Sequence, residues 1–126
     1  MPKLILASAS PRRLDLLKSI NIKPDIIFPA NIDESIKKKE KPNFYLKRIS
    51  FEKALYAQDK YKDDIILSAD TIVTTNHEIF GKPSNEKEAV KTLKYLSGRN
   101  HKVKTGVCIL FKKLKKIKII INPIFN

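Results

Sequence analysis

Apolar segments recur along the chain and predict four β-strands. The runs Lys3 to Ser8 and Asp25 to Phe28 have the length of short buried strands. The run Asp64 to Thr74 is longer and carries one conspicuous acid in its middle. The segment Val103 to Phe111 alternates in polarity, which is typical of a half-buried strand.

The segments between these strands have helical patterns. Ser10 is a suitable N-cap and Pro11 a suitable first helical residue, so a helix is predicted from there to a stop near Asn21. A second helix is predicted from Asn43 to about Tyr61, and a third from about Ser84. Strands that alternate with helices predict an α/β fold. The positions expected to face inward are Leu14, Leu17 and Ile20 in the first helix and Leu46, Ile49 and Ala54 in the second.

Composition narrows the class of protein. The 126 residues suit one domain or two small lobes, and a hydrophobic fraction of 42% is that of a globular protein. No apolar run is long enough to span a membrane, and the first residues lack the features of a signal peptide. The single cysteine, Cys108, excludes an internal disulfide. Together these features predict a cytoplasmic protein.

The formal net charge of +13 favours an anionic partner such as a nucleotide, a nucleic acid or an acidic surface. A second interpretation needs no binding partner. The chain is rich in Lys, Ile and Asn, a bias that AT-rich coding would also produce, and much of the excess charge lies in the sequence FKKLKKIK near the end. The charge alone leaves both interpretations open.

The sequence SASPRR, from Ser8 to Arg13, lies where the first strand gives way to a helix. A helix N-terminus offers free N–H groups and a partial positive charge. The hydroxyls of Ser8 and Ser10 add hydrogen-bond donors, and the guanidinium groups of Arg12 and Arg13 match phosphate oxygens. This combination indicates a polyphosphate-binding site. The alternative is an ordinary capped helix with two solvated arginines.

Asp70 is the acid within the long apolar strand. A buried carboxylate needs compensation, so Asp70 is either a paired structural acid or an acid that faces a cleft. Beside phosphates, a cleft acid can bind a divalent cation or activate a water molecule. Thr71 follows and points to the opposite face of a regular strand, although both residues can line one cleft at the end of a strand.

Two lysines and two loop acids complete the list of candidate site residues. Lys82 lies in FGKPS, where a glycine and a proline constrain the backbone, and Lys53 lies in FEKA on the second predicted helix. Asp33 and Glu34 lie in a polar loop. Each is more often a solvated residue than a functional one. The two histidines lack the spacing of a zinc site, and Cys108 is expected in the core.

Several of these pieces occur in the order that is typical of one known family. The chain resembles the Maf-like nucleoside triphosphate pyrophosphatases over about residues 3 to 110. The matching pieces are ILASASPRRLDLL, the acids Asp33 and Glu34, EKA at 52–54, SADTIV at 68–73, GKP at 81–83 and LSGRNHKVKTGV at 96–107. The resemblance implies a mixed, elongated β-sheet flanked by helices, with two lobes around a cleft.

The resemblance also implies a reaction and a set of roles. Members of this family cleave a nucleoside triphosphate to the monophosphate and pyrophosphate with a divalent metal, usually Mg²⁺ or Mn²⁺. Asp70 matches the proton acceptor, and Glu34 matches an acid expected near the metal, which Asp70 would share. The residues expected at the phosphates are Ser8, Arg13, Lys53 and Lys82. Arg12 and Thr71 match positions that are linked to substrate choice. Relatives that prefer 7-methyl-GTP have Trp and Gln at these positions, so Arg and Thr imply that dTTP and UTP are the substrates.

The likeness fades after Val107, and residues 111–126 are predicted to be a divergent basic and apolar tail on an incomplete domain of residues 1–110. Truncation, a basic membrane-surface or nucleic-acid tail, and a lysine-rich final strand are three interpretations of this tail. An exposed apolar edge would need a cover, for which a homodimer is one solution. No specific nucleic acid and no membrane are expected as partners. The alternative functions are an inactive remnant that still binds nucleotide and a small basic nucleic-acid-binding module.

Overall fold

One mixed β-sheet forms the frame of the chain. The computed structural model describes residues 1–75, 78–80, 87, 90–91 and 101–124. Residues 87, 90 and 91 are helical. The other elements, in chain order, are β1 (Leu4–Leu6), α1 (Pro11–Ser19), β2 (Ile26–Ile27), α2 (Pro42–Lys60), β3 (Ile65–Thr75), β4 (Glu78–Phe80), β5 (His101–Phe111) and β6 (Leu114–Ile124).

The six strands have the order β2-β1-β3-β5-β6, and β4 pairs with β3 beside this path. Pairing is parallel between β1 and β2 and between β1 and β3, and it is antiparallel in the other pairs. The predicted α/β class with a mixed sheet flanked by helices is therefore confirmed. The start of the third helix near Ser84 lies outside the described residues, as does Lys82. Within the described part of the chain, no helix is long and apolar enough to cross a membrane.

The central strand β3 has one edge that two strands share. β5 covers the opposite edge of β3 from Ile66 to Thr74. On the shared edge, β1 pairs with Ile65 to Leu67, and β4 pairs with Val73 to Thr75. On this edge, the described structure therefore shows no partner strand for Ser68–Ile72, which lies between the end of β1 and the start of β4 and is called the unpaired stretch. Polar groups from other segments can approach the sheet there.

Helix α2 covers one face of the sheet and forms the core with it. The inward positions predicted for α2, Leu46, Ile49 and Ala54, are fully buried. Gly106 on β5 lets the helix come close, because a Cβ atom there would lie 3.0 Å from the carbonyl oxygen of Leu46. Cys108 is buried in the same core, as its sequence context predicts. Two apolar clusters result, one around Ile5, Ala54, Ala57, Ile66, Cys108 and Leu110 and one around Tyr45, Leu46, Ile49 and Ile72.

Helix α1 begins and ends as the local sequence predicts. Ser10 is the N-cap, and its hydroxyl accepts a hydrogen bond from the Arg13 N–H at 3.4 Å. After the helix, Asn21 adopts a left-handed conformation with φ of 61° and donates to the carbonyl of Lys18, while Ile22 donates to that of Leu17. This is a Schellman arrangement, in which Asn tolerates the positive φ.

The apolar stripe predicted for α1 is correct only in part. Leu14 and Leu17 are half-buried, but Ile20 is exposed. The prediction for Ile20 is wrong because the helix ends at Ser19 and Ile20 occupies its C-cap. The backbone therefore leaves the helical path before Ile20 could extend the stripe.

The segment after Phe111 forms a strand. A turn at Lys112 and Lys113 leads into β6, which pairs with β5 in unbroken register. Ile117 and Ile119 pack against the two core clusters. This pairing agrees with the lysine-rich strand, one of the three interpretations of the basic tail, and the other two stay predictions. A domain boundary at residue 110 stays a prediction, and it falls next to the turn of the β5–β6 hairpin.

The loop between β2 and α2 is fixed to the helix by a partly buried ion pair. Arg48 donates from Nε to Glu40 Oε2 at 2.6 Å and from Nη2 to Glu40 Oε1 at 2.8 Å. The Glu40 side chain is only 5% exposed. Its hydrogen bonds with Arg48 lower the pKa of Glu40, and the same bonds raise the pKa of Arg48. A bidentate pair of this kind fixes the direction of both side chains.

The close approach at Gly106 predicts that its replacement by alanine destabilises the fold. In Gly106→Ala the new methyl group would press on Leu46, so we expect a loss of about 1 to 3 kcal/mol in the free energy of unfolding. Urea denaturation measures this loss. Lys102→Ala, at an exposed position of the same strand, is the control, with an expected change within about 0.5 kcal/mol. A Gly106→Ala protein as stable as the wild type would contradict the account.

The Glu40–Arg48 pair predicts a pH dependence of stability. Because the folded pKa of Glu40 lies below its ordinary value of 4.5, the contribution is complete above that value and is lost as the pH falls through the folded pKa. Glu40→Gln should therefore be less stable than the wild type at neutral pH, and the difference should shrink in acid. Denaturation at a series of pH values tests this. Glu52→Gln, which removes a weaker and more exposed contact of Arg48, should cost less at neutral pH.

Candidate functional site

Five segments bring candidate site residues together at the unpaired stretch of β3. The turn after β1 contributes Ser8, and helix α1 contributes Arg13. The strand itself contributes Asp70 and Thr71, while α2 contributes Lys53. The loop before α2 contributes Glu34. Residues that are far apart in the sequence therefore meet where β1 ends beside β3.

Arg13 joins the turn after β1 to strand β3. Its Nη1 donates to the Ser8 hydroxyl and its Nη2 to the Thr71 hydroxyl, both at 3.3 Å. The Ser8 oxygen also accepts from the N–H of Ser10 at 3.1 Å. Burial lowers the pKa of Arg13, while the nearby carboxylates of Asp70 and Glu34 oppose this shift. The arginine is thus a partly buried, oriented cation close to two acids.

Lys53 lies between the two candidate acids. Its Nζ is 3.1 Å from Asp70 Oδ1 and 3.0 Å from Glu34 Oε1. The side chains of Lys53 and Asp70 are 12% and 14% exposed, whereas that of Glu34 is 48% exposed. Asp70 is therefore a paired acid that also reaches solvent, so the two interpretations of its sequence context are compatible. The site is open on the side of Glu34.

The two carboxylates suit a divalent cation that a ligand also coordinates. Both point their oxygen atoms at the same positive group, the Lys53 ammonium. Oxygen atoms are the ligands that Mg²⁺ and Mn²⁺ prefer, and Mg²⁺ is commonly held by one or two carboxylates together with substrate phosphates. No group of three potential metal ligands occurs among the residues that the structure describes. The donor set fits a metal that shares its coordination with a phosphate ligand.

Tyr45 and Arg48 of α2 hold the loop that carries Glu34. The Tyr45 hydroxyl donates to the backbone oxygen of Glu34 at 2.7 Å, and Arg48 Nη2 donates to that of Ser35 at 2.9 Å. Burial, with Asp70 and Glu34 nearby, raises the pKa of Tyr45 to about 12. Tyr45 therefore stays a protonated donor. Neither residue is in the set predicted from sequence, because each acts on the backbone of a distant loop.

The remaining predicted residues differ in their contacts with the other site residues. Thr71 lies on the opposite face of β3 from Asp70, as regular alternation predicts, and its hydroxyl is 3.0 Å from that of Thr105 on β5. Thr105 was not predicted, since only the pairing of β3 with β5 puts it beside Thr71. Arg12 is exposed on α1 and takes no part in the hydrogen bonds that join the described site residues. Lys82 lies outside the described residues.

Solved structures of other proteins have a similar fold. A HAM1 protein from Coxiella burnetii matches 98% of this chain and 72% of its own, with a TM-score of 0.70 and 17% identity. A nucleoside-triphosphatase / dITP/XTP pyrophosphatase from Mycobacterium abscessus matches 96% of this chain and 71% of its own, with a TM-score of 0.58 and 12% identity. At such identities the likeness shows the fold alone.

Curated relatives are more similar in sequence. The dTTP/UTP pyrophosphatase of Zymomonas mobilis is 49% identical over 106 residues, which cover 84% of this chain and 52% of the relative. That of Thermosipho africanus is 49% identical over 110 residues, which cover 87% and 55%. The chain thus spans about half the length of the curated relatives it matches. The model of the Maf-like protein family matches residues 3–122, a longer range than the motifs alone indicate. With this match over most of its length, the chain belongs to the Maf-like protein family.

Proposed function

We propose that this chain hydrolyses nucleoside triphosphates, with dTTP and UTP as preferred substrates, to the monophosphate and pyrophosphate. The observation that carries the proposal is the Lys53 ammonium held between Asp70 and Glu34, beside Arg13 and the N-terminus of α1. This arrangement combines cations for an anionic ligand with an acid that can accept a proton. The curated relatives, which are dTTP/UTP pyrophosphatases, support the substrate class.

The cationic groups would bind the triphosphate. Arg13 already has its guanidinium oriented by Ser8 and Thr71, so part of the entropic cost of ordering its side chain is met before the ligand binds. The backbone N–H groups at the start of α1 add donors where the helix dipole favours an anion. Lys53 and, outside the described residues, Lys82 would stabilise negative charge that develops on the departing pyrophosphate.

Asp70 would act as the proton acceptor. A water molecule attacks the α-phosphorus, the bond from that phosphorus to the bridging oxygen breaks, and the water proton passes to the Asp70 carboxylate. Before a ligand binds, Lys53 donates a hydrogen bond to this carboxylate and so restrains its direction. Pyrophosphate leaves with the bridging oxygen. Asp70 then loses the proton to solvent, to which it is partly open.

Glu34 and Asp70 would hold Mg²⁺ or Mn²⁺ together with the phosphate oxygens. A bound divalent cation supplies charge neutralisation for the phosphates. Lys53 would release at least one of the two carboxylates when this happens, and its ammonium would then be free to contact a phosphate. The greater exposure of Glu34 makes it the more easily released partner.

The proposal also assigns roles to Arg12, Thr71 and Ser10. Arg12 and Thr71 would lie at the positions that select the pyrimidine base. Ser10, whose hydroxyl caps α1, would support the phosphate site through the helix rather than by direct contact.

The cellular role that we propose is cleansing of the nucleotide pool in the cytoplasm, with no specific nucleic acid or membrane as partner. A homodimer would cover the exposed apolar residues of β6, such as Ile120.

The proposal predicts that Asp70→Asn abolishes turnover while it preserves the fold. The amide cannot accept the proton, so pyrophosphate release from dTTP and UTP should fall by about a hundredfold or more. The measurement is pyrophosphate release with Mg²⁺ or Mn²⁺. Asp63→Asn, at an exposed turn acid, is the matched control and should keep wild-type rates.

Two results would decide between the enzyme and the alternatives. A folded wild-type chain that is stabilised by dTTP but releases no pyrophosphate would be a nucleotide-binding remnant. Salt-sensitive binding to DNA or RNA without hydrolysis would indicate a basic nucleic-acid-binding module. Equal activity of the wild type and Asp70→Asn would remove Asp70 from the mechanism.

The two arginines of α1 are expected to contribute differently to substrate binding. Arg13→Ala removes an oriented, partly buried cation, so KM for dTTP should rise about tenfold or more. Arg12→Ala removes an exposed cation and should raise KM less, with its main effect on the preference between nucleotide bases. Steady-state kinetics with dTTP, UTP and GTP separates these effects. A larger loss of dTTP binding in Arg12→Ala would reverse the assignment.

A further inference from the structure

We propose that Arg48 is a positioning residue that fixes Glu34 for metal binding. The inference rests on the proposed function, because it concerns the same acid. Arg48 binds the loop backbone next to Glu34 and touches neither of the proposed catalytic groups Asp70 and Lys53 in the described structure. Its effect must therefore pass through the loop.

The loop is attached to α2 at two consecutive carbonyl groups. The backbone oxygen of Glu34 accepts from the Tyr45 hydroxyl, and that of Ser35 accepts from Arg48 Nη2 at 2.9 Å. Tyr45 and Arg48 are three residues apart, so they share one face of the helix. The Arg48 guanidinium also lies 5.5 Å from the centre of the Tyr45 ring. Two adjacent peptide groups are thereby held, and the first of them begins at the Cα atom of Glu34, so the backbone is restrained directly after this acid.

The direction of Arg48 is itself determined by acids. Glu40 takes the Nε and Nη2 groups as a bidentate partner, and Glu52 contacts Nη1 at 3.4 Å. The Arg48 side chain is 14% exposed and that of Glu40 is 5% exposed, so the ion pair between them differs from a solvated surface pair. A lysine could keep the charge at this position, but it could not reproduce the forked contacts to Glu40 and Ser35.

Helix α2 thus carries both the anchor of Glu34 and the cation that Glu34 contacts. Arg48 and Tyr45 fix the backbone of the acid, and Lys53 follows Arg48 on the same helix and meets the carboxylate at 3.0 Å. A rigid helix sets the distance between these groups. The half-exposed Glu34 side chain would otherwise lie on a polar loop with many available conformations.

The test is a double-mutant cycle between Arg48→Lys and Glu34→Gln. The direct readout is Mn²⁺ affinity, measured by electron paramagnetic resonance of the intact chain with a dTTP analogue that carries a non-hydrolysable group between the α and β phosphorus atoms. We expect Arg48→Lys to weaken Mn²⁺ binding about tenfold, as loss of a ligand-orienting contact does. In the Glu34→Gln background the same change should have no further effect.

Matched variants make the result specific to the anchor. Lys47→Ala removes a positive charge from the neighbouring exposed position of α2 and should leave Mn²⁺ affinity unchanged. Glu40→Gln weakens the bidentate pair from its other side and should weaken Mn²⁺ binding in the same direction as Arg48→Lys. Circular dichroism checks that each variant is folded, and Glu40→Gln supplies the test if Arg48→Lys is not.

The outcomes separate this inference from the proposed function. The role of Arg48 would be overturned if both Arg48→Lys and Glu40→Gln bound Mn²⁺ as the wild type does. It would also be overturned if Arg48→Lys lost the same affinity with and without Glu34, or if Mn²⁺ binding did not depend on Glu34. If the cycle gives the expected coupling but the wild type releases no pyrophosphate, the role of Arg48 stands and the proposed function fails.

Discussion

The ammonium group of Lys53 holds two carboxylates from distant parts of the chain at one point, and the candidate site depends on this contact. Asp70 and Glu34 would repel each other if they approached without a cation. Lys53 and Asp70 are both largely removed from water, so neither charge would be stable there alone. A divalent cation that also coordinates a triphosphate would offer these two carboxylates a positive charge in place of the Lys53 ammonium.

The sheet topology explains why this contact can form. β1 and β4 share one edge of β3 and leave Ser68–Ile72 unpaired between them in the described structure. Asp70 lies in this stretch, with its side chain on the face that α2 covers. Thr71 lies on the other face, where Arg13 reaches it. Residues on both faces of one strand therefore contribute to a single site at its edge.

Local patterns in the sequence predicted the parts of the fold that local forces determine. The cap at Ser10, the stop at Asn21, the helix over 42–60 and the strand over 65–75 all follow from short-range hydrogen bonding and apolar spacing. The short strand β4 had no comparable signal. The tail after Phe111 allowed several interpretations, because its lysine-rich composition masks the alternation that pairs it with β5.

The predicted site residues could be named from motifs, but their contacts could not. The position of Glu34 depends on Arg48 and Tyr45, which bind backbone oxygen atoms and so need no particular residue type in the loop. Thr105 joins Thr71 only through the register of β3 and β5. Side chains that act across 11 to 34 positions of sequence separation leave no local pattern, so these contacts could be found only in the three-dimensional structure.

We expect Glu34 and Asp70 to exchange Lys53 for a divalent metal when a triphosphate binds. The most direct measurement is anomalous X-ray diffraction from a crystal grown with Mn²⁺ and a non-hydrolysable dTTP analogue. We expect an Mn²⁺ peak within bonding distance of Glu34, Asp70 and phosphate oxygens, with Arg13 and Lys53 in contact with the phosphates. An Mn²⁺–nucleotide complex located elsewhere, with both carboxylates still paired to Lys53, would contradict it.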